Sequence, residues 1–532
     1  MEIAHFYKKV VRLSLFLLIT CFSIVCTGQQ LFPFVDMHNY GATKAFGSKS
    51  SMKASVWEEV RHDCSYDFQP AFIQAFSEMG KTSQANFEAL MRSGAPITCL
   101  SYEPLQKPFL KSSRMSPNEL KGTLSCLTGV VASDAIGYVS DIDYFGDFVK
   151  FYNFLKEQAM LEHEQFGKVY SFTIIDSKET FTKTRQDPDN LGVVLNLSGG
   201  HILGSSLYIE NNLTASPEYA SLILQNIKRL KGEIPLYENT REYVIHPVFS
   251  ISLASYFPNG ICGFSQSFTN QQAELFGAQS HLEQGITKLG TRVIRELLNP
   301  DNGRRILIDV SGMSLLARRQ YYGMVRELRD IAGDEFPIIA SHVGISGLDW
   351  DDGRYQDTRI TSRGANTYLN HTTTNLSSQD ILHIYDSKGL IGITLNKDLI
   401  CGPAVQQELN GIVAGSAQHR ELFLHSIMAN IFSVVSVVQN RFAWDMITIG
   451  SDFDSIISPF PMYDSVKEMP DLANDMLEFL EDPEDLFDIL TAQQVKQLMY
   501  GQKPADLVNK IFHGNAISFL EKNLPADGLA QD

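Results

Sequence analysis

At 532 residues, with 44% hydrophobic and 20% charged side chains, the chain can bury a large core and has the composition of a folded globular protein. Its formal charge of −17 excludes broad nucleic-acid binding, which needs a basic face. The acids do not single out a substrate, because stretches such as 470–499 mix them with apolar residues at helical spacing, as a solvated helix face does.

Taken in chain order, the first element is a targeting segment. Lys8, Lys9 and Arg12 precede the apolar run Leu13 to Val25, and Thr27-Gly28 follow. This layout predicts a signal peptide over 1–28, cleaved before Gln29, and export to the periplasm or the extracellular space. The run is short for a permanent membrane anchor, and Thr20 and Val25 are poor neighbours for lipid attachment at Cys21 or Cys26. No later segment reads as a membrane span. Cys64, Cys99, Cys126, Cys262 and Cys401 remain after cleavage, none in CxxC spacing, and packed free thiols are the expectation for most of them.

Eight short apolar runs then read as strands: 31–36, 95–101, 191–197, 242–249, 305–310, 337–341, 389–395 and 446–451. Near-continuous apolar runs suit strands buried on both faces, as in a parallel sheet covered by helices. Helical patterns at Tyr144 to Glu164, Glu283 to Asn299 and Leu315 to Ala332 alternate with them. The expected fold is α/β, a (β/α)8 TIM-type barrel of the metal-dependent-hydrolase kind spanning 29–525, with a tail at 526–532. Long insertions fall near 41–94, 102–142, 349–380 and 400–440; the polar 349–380 stretch reads as a loop over the rim.

Several runs end in residues suited to metal chemistry: Asp36-Met37-His38, Ala340-Ser341-His342 and Gly450-Ser451-Asp452-Phe453-Asp454. On a barrel the C-terminal strand ends share one rim, so His38, His342 and Asp452 are expected in a single pocket. Two histidines and a carboxylate suffice for one zinc ion. His246, after Tyr243-Val244-Ile245, falls at the predicted rim of the fourth strand, within reach of a ligand, though a histidine before Pro247 commonly serves structure. His201 reads as a packing residue. Asp349 to Asp352 is acidic but lacks EF-hand spacing, and no GxSxG elbow or phosphate-binding glycine loop is present.

These motifs, together with Leu197-Ser198-Gly199-Gly200-His201, Leu307 to Ser314, the helix Gly285 to Leu297 and the ending Lys510 to Asn515, resemble in order those of the membrane (renal) dipeptidase family across residues 33–522. The resemblance implies two zinc ions bridged by a carboxylate, hydrolysis of a small dipeptide-like ligand, Asp452 as the catalytic proton-handling group, Arg354 near the arginine that binds the substrate carboxylate, and a homodimer. Three positions depart from the family pattern. Tyr40 replaces an acid, Ser198 the bridging glutamate and Gly312 a histidine, and none of the three is a usual zinc ligand. A dinuclear centre is therefore not expected; the site should hold no cofactor or a single zinc on His38, His342 and Asp452. The functional expectation is an exported dipeptidase-like protein of weak or no activity. The alternative is a non-catalytic binding scaffold on the same barrel.

Overall fold

The computed structural model describes residues 32–47, 54–61, 82–110, 141–165, 167–267, 282–356 and 367–526. The predicted signal peptide, Cys64 and Cys126 lie outside them. The fold is mixed α/β with a nine-stranded sheet. Its strands are β1 (Ile97–Tyr102), β2 (His163–Gln165), β3 (Lys168–Ile174), β4 (Asn190–Leu197), β5 (Val248–Ser252), β6 (Leu307–Asp309), β7 (Ile339–Val343), β8 (Leu390–Ile393) and β9 (Ile447–Ile449). From β3 to β9 each strand runs parallel to the next, β1 lies parallel to β4, and β2 and β3 form the one antiparallel pair.

Helices alternate with the strands: α1 (Tyr144–Ala159), α2 (Lys178–Gln186), α3 (Pro217–Leu230), α4 (Lys288–Leu298), α5 (Leu315–Ala332), α6 (Ser378–Asp386), α7 (Ala417–Val438), α8 (Met469–Glu481) and α9 (Asn515–Asn523). Most start at a serine, threonine or aspartate whose side chain accepts a free N–H of the first turn; Ser314 does this for α5, and Ser377 with Asp380 forms a capping box on α6. The central strands are buried on both faces, which is why they read as unbroken apolar runs.

The named strands do not close on themselves. Instead residues 35–40 run between the two free edges. Met37 N donates to the Ile449 carbonyl at 3.1 Å and Cys99 N to the Asp36 carbonyl at 2.8 Å, while Asn39 bridges to both Leu100 and Phe453. The predicted first strand at 31–36 is thus replaced by an irregular segment slightly later in the chain. The fourth predicted strand, 242–249, is displaced to Val248–Ser252, because Pro247 cannot donate to a ladder and ends the extended run before it.

By length and composition α7 could cross a membrane, contrary to the sequence expectation, with a mean hydropathy of 1.7; two thirds of that stretch (67%) is buried in the fold. Its burial against α6 and α8 accounts for the apolar character all round. Cys99, Cys262 and Cys401 are buried free thiols, as read from their spacing.

One buried ion pair fixes a wall of the rim. The Arg318 side chain and Asp380 are both fully buried, with Nε to Oδ1 at 3.1 Å, and the guanidinium also donates to the carbonyls of Met313, Thr373 and Asn375. Arg318 thereby ties the start of α5 to the segment leading into α6. Replacing it with alanine strands the Asp380 carboxylate and three carbonyls. Arg318→Ala should cost about 3–5 kcal/mol in chemical unfolding, and a loss under about 1 kcal/mol would show that this pair does not hold the wall.

Candidate functional site

His38, His342 and Asp452 meet at one end of the sheet, with their ligand-type atoms all within 4.8 Å of one another. His38 Nε2 is 4.0 Å from Asp452 Oδ1, and the rings of His38 and His342 lie 3.8 Å apart, tilted by 30°. The backbone makes the convergence. Asp452 N donates to the His38 carbonyl at 2.9 Å. The β7–β8 register slips between Ala340 and Val343, so that the consecutive residues Ser341 and His342 both reach His38. Gly450 is required beneath them, since a Cβ there would lie 1.7 Å from the Ser341 carbonyl oxygen. Asp452 itself has a left-handed backbone (φ 64°), a strained conformation for a residue other than glycine and one concentrated at functional sites.

A buried hydroxyl network grips His38. Its Nδ1 is 3.1 Å from Ser101 Oγ and 2.9 Å from Ser341 Oγ, and its Nε2 is 3.2 Å from the Tyr40 hydroxyl. Ser341 Oγ in turn donates to Asp309, and Asp36 accepts from the backbone and hydroxyl of Ser451. Burial pushes the Asp36 carboxyl up to about 7, and burial followed by His342 pushes the His38 imidazole down. Asp452 is raised well above the usual carboxylate range by burial, with Glu103, Asp36 and Asp309 adding to the rise. Its Oδ1 is buried and has no hydrogen-bond partner.

Glu103, just past the end of β1, was missed by the sequence reading. Its carboxylate accepts from Ser255 Oγ and, at 3.5 Å, from the Tyr40 hydroxyl. Burial raises it to about 7, a rise opposed by hydrogen bonds from Ser255, Ser198 and Tyr40. Glu103 therefore lies against both Tyr40 and Ser198. No spacing signal marks it; only the parallel pairing of β1 with β4, which sets Tyr102 beside Leu197, brings residues 103 and 198 together.

His342 and Asp452 line a cavity of two adjoining lobes that share Tyr40, Glu103, Tyr256, Ser455 and Ile456, with His38 buried behind them. Two predicted ligand-binding residues are not in it. His246 precedes β5, at the end opposite the pocket-lining Ser252, and its Nδ1 is hydrogen-bonded to the Tyr152 hydroxyl at 2.8 Å; the displaced strand start moved it from the rim. Arg354 is half-exposed and pairs with its neighbour Asp352, Nη2 to Oδ2 at 2.7 Å. His201 packs on Tyr144, with Nε2 2.9 Å from the Pro104 carbonyl oxygen, as a structural histidine would.

Does the donor set fit metal? For one ion it does: a buried carboxylate oxygen with no partner stands within reach of two imidazoles. For two it does not. Ser198 Oγ bonds Ser252 Oγ, Gly312 has no side chain, and the Tyr40 hydroxyl sits on the nitrogen His38 would offer.

No protein-family model matches the chain, and no curated protein matches it. Its neighbours among solved structures include three metallo peptidases or dipeptidases and an amidohydrolase from Pseudomonas aeruginosa. A metallo peptidase from Rhodobacter sphaeroides, liganded with a phosphinate mimic of the dipeptide L-Ala-D-Ala, is 12% identical, with a TM-score of 0.47 over 93% of this chain and 100% of that one. A metallo peptidase described as dipeptidase AC is 13% identical (TM-score 0.45, 93% and 99% covered). The probable dipeptidase PvdM from Pseudomonas aeruginosa is also 13% identical (TM-score 0.45, 93% and 96%). These likenesses are too distant to carry weight, and the reading below rests on the residues of the site.

The raised carboxyls set a pH dependence. Glu103 and Asp36 hold their protons more tightly folded than unfolded, so their contribution to stability is complete below the ordinary carboxylate range and is lost as pH rises through about 7. The melting temperature should fall between about pH 4 and pH 7, and Glu103→Gln should flatten that fall. An identical slope in the variant would show that Glu103 titrates normally.

Proposed function

We propose that the chain is an exported, dipeptidase-like protein of the metal-dependent hydrolase type, whose rim pocket takes small peptide-like ligands and holds at most one zinc ion. Residues 35–40 serve in this reading as the eighth strand of a (β/α)8 barrel, hydrogen-bonded to β1 on one side and β9 on the other. Export rests on the N-terminal charge and hydropathy pattern.

The observation that carries the reading is the state of His38. Its neighbours His342 and Asp452 are in place, yet its Nε2 is capped by Tyr40 and its Nδ1 is shared by two serines. A zinc ion on Asp452, His342 and His38 would supply Lewis acidity toward an amide carbonyl, and binding it requires the Tyr40 hydroxyl to move aside. Asp452 is the residue placed to take or give a proton in the pocket, its free Oδ1 held by the strained turn after β9. Tyr40 and Glu103 border the ligand's space. With the bridging carboxylate absent, hydrolysis of dipeptides is slow or nil. The capping of His38 equally favours a second reading, in which the pocket binds its ligand without turning it over.

Elemental analysis of protein purified with zinc available tests this. The expected content is at most one zinc per chain, abolished by Asp452→Asn; two per chain would overturn the reading. Tyr40→Asp combined with Ser198→Glu should raise zinc affinity by at least about tenfold, because it uncaps His38 and restores two carboxylates. Gly312 is left alone, since its positive φ (76°) disfavours a histidine there.

A further inference from the structure

The pocket is rich in acids and aromatic rings, and none of its described lining residues is a lysine or arginine. Of its carboxylates, Asp454 is neutralised by Lys44 at 2.6 Å and Asp147 lies 4.0 Å from Lys150. Glu103 and Asp452 have no lysine or arginine within ion-pair distance among the described residues, and Asp452 Oδ1, 4.0 Å from His38 Nε2, accepts no hydrogen bond. Phe46, Tyr102, Phe109 and Tyr256 wall the lobe next to Glu103, a cavity of about 720 Å³ including its mouth.

This combination selects for charge. Carboxylates held away from water without a counter-ion favour a ligand that brings one, and aromatic faces attract cations through their quadrupole. A ligand carboxylate, by contrast, would meet Glu103 and Asp452 with no guanidinium or ammonium among the described lining residues to receive it, and Arg354 is engaged at the surface.

We propose that the pocket recognises the ammonium group of its ligand, seated against Glu103 and the ring of Tyr256, and that it selects amines and aminoacyl amides over molecules bearing only a carboxylate. The proposal rests on the reading of the pocket as a site for small peptide-like molecules and names the end of such a molecule that is held. Glu103 is the charge partner, Tyr256 the partly exposed aromatic wall, and Tyr40 orients Glu103 through its hydroxyl.

Titration calorimetry on chelator-treated protein at about pH 7, where an α-amino group is mostly cationic, decides it with three probes: L-leucinamide, the zwitterion leucyl-leucine and N-acetyl-leucine. Leucinamide should bind, leucyl-leucine no more tightly, and N-acetyl-leucine not at all. Glu103→Gln should weaken leucinamide by at least about tenfold, the loss of a charge-assisted contact, and Glu103→Asp by less. Tyr256→Leu, at a partly exposed wall, should weaken it too, and it decides the matter if the Glu103 variants do not fold. Binding of N-acetyl-leucine as tight as that of leucinamide, or unchanged leucinamide binding in folded Glu103→Gln, overturns the inference while leaving a small peptide-like ligand in place. If none of the three probes binds, both readings fall.

Discussion

The site depends on how residues 35–40 are held. This segment is joined by backbone hydrogen bonds to both β1 and β9, and through them His38 is fixed at the point where the sheet's two edges approach. Its ring is then locked by three hydroxyls, from Tyr40, Ser101 and Ser341. Two buried carboxylates brace the network from outside, Asp309 through Ser341 and Asp36 through Ser451. A buried polar network is stable only when its members are satisfied, and here the hydroxyls satisfy both ring nitrogens of His38. The Tyr40 hydroxyl supplies the contact at Nε2 that lets His38 sit in the core.

Much of the architecture was legible because parallel strands buried on both faces leave unbroken apolar runs. β1, β4, β6, β7, β8 and β9 fall within a few residues of their expected places. The convergence of His38, His342 and Asp452 was legible for the same reason, since strand ends on one rim share a pocket whatever their separation in sequence. The hairpin of β2 and β3 was not. Lys168 to Ile174 carries lysine, serine and threonine among its apolar residues and is only partly buried. α7 hid inside a presumed insertion because a helix apolar on all sides has no 3.6-residue signature.

His246 and Glu103 show the limits of reading a site from strand ends. An error of six residues in where a strand starts moved His246 from the expected rim to the opposite end of the sheet, since each extended residue advances about 3.3 Å. Glu103 lay one residue beyond a correctly placed strand, but nothing in Ser101-Tyr102-Glu103 distinguishes a pocket carboxylate from a surface one. Its significance comes from register alone, which sets it against Tyr40 and Ser198.

Charge balance links these features. Positions 40 and 198 carry a tyrosine and a serine, so neither adds a negative charge to the pocket. Yet burial raises the Asp452 carboxyl, and the nearby Glu103, Asp36 and Asp309 add to the rise. In a medium that screens poorly, Asp452, Glu103 and Asp36 cannot all stay fully ionised. They must take up protons, bind one cation, or both. The carboxyls of Asp36 and Glu103, pushed up to about 7, show the first response. The free Oδ1 of Asp452 beside two imidazoles leaves room for the second as a single metal ion, and the aromatic walls around Glu103 leave room for it as an organic ammonium.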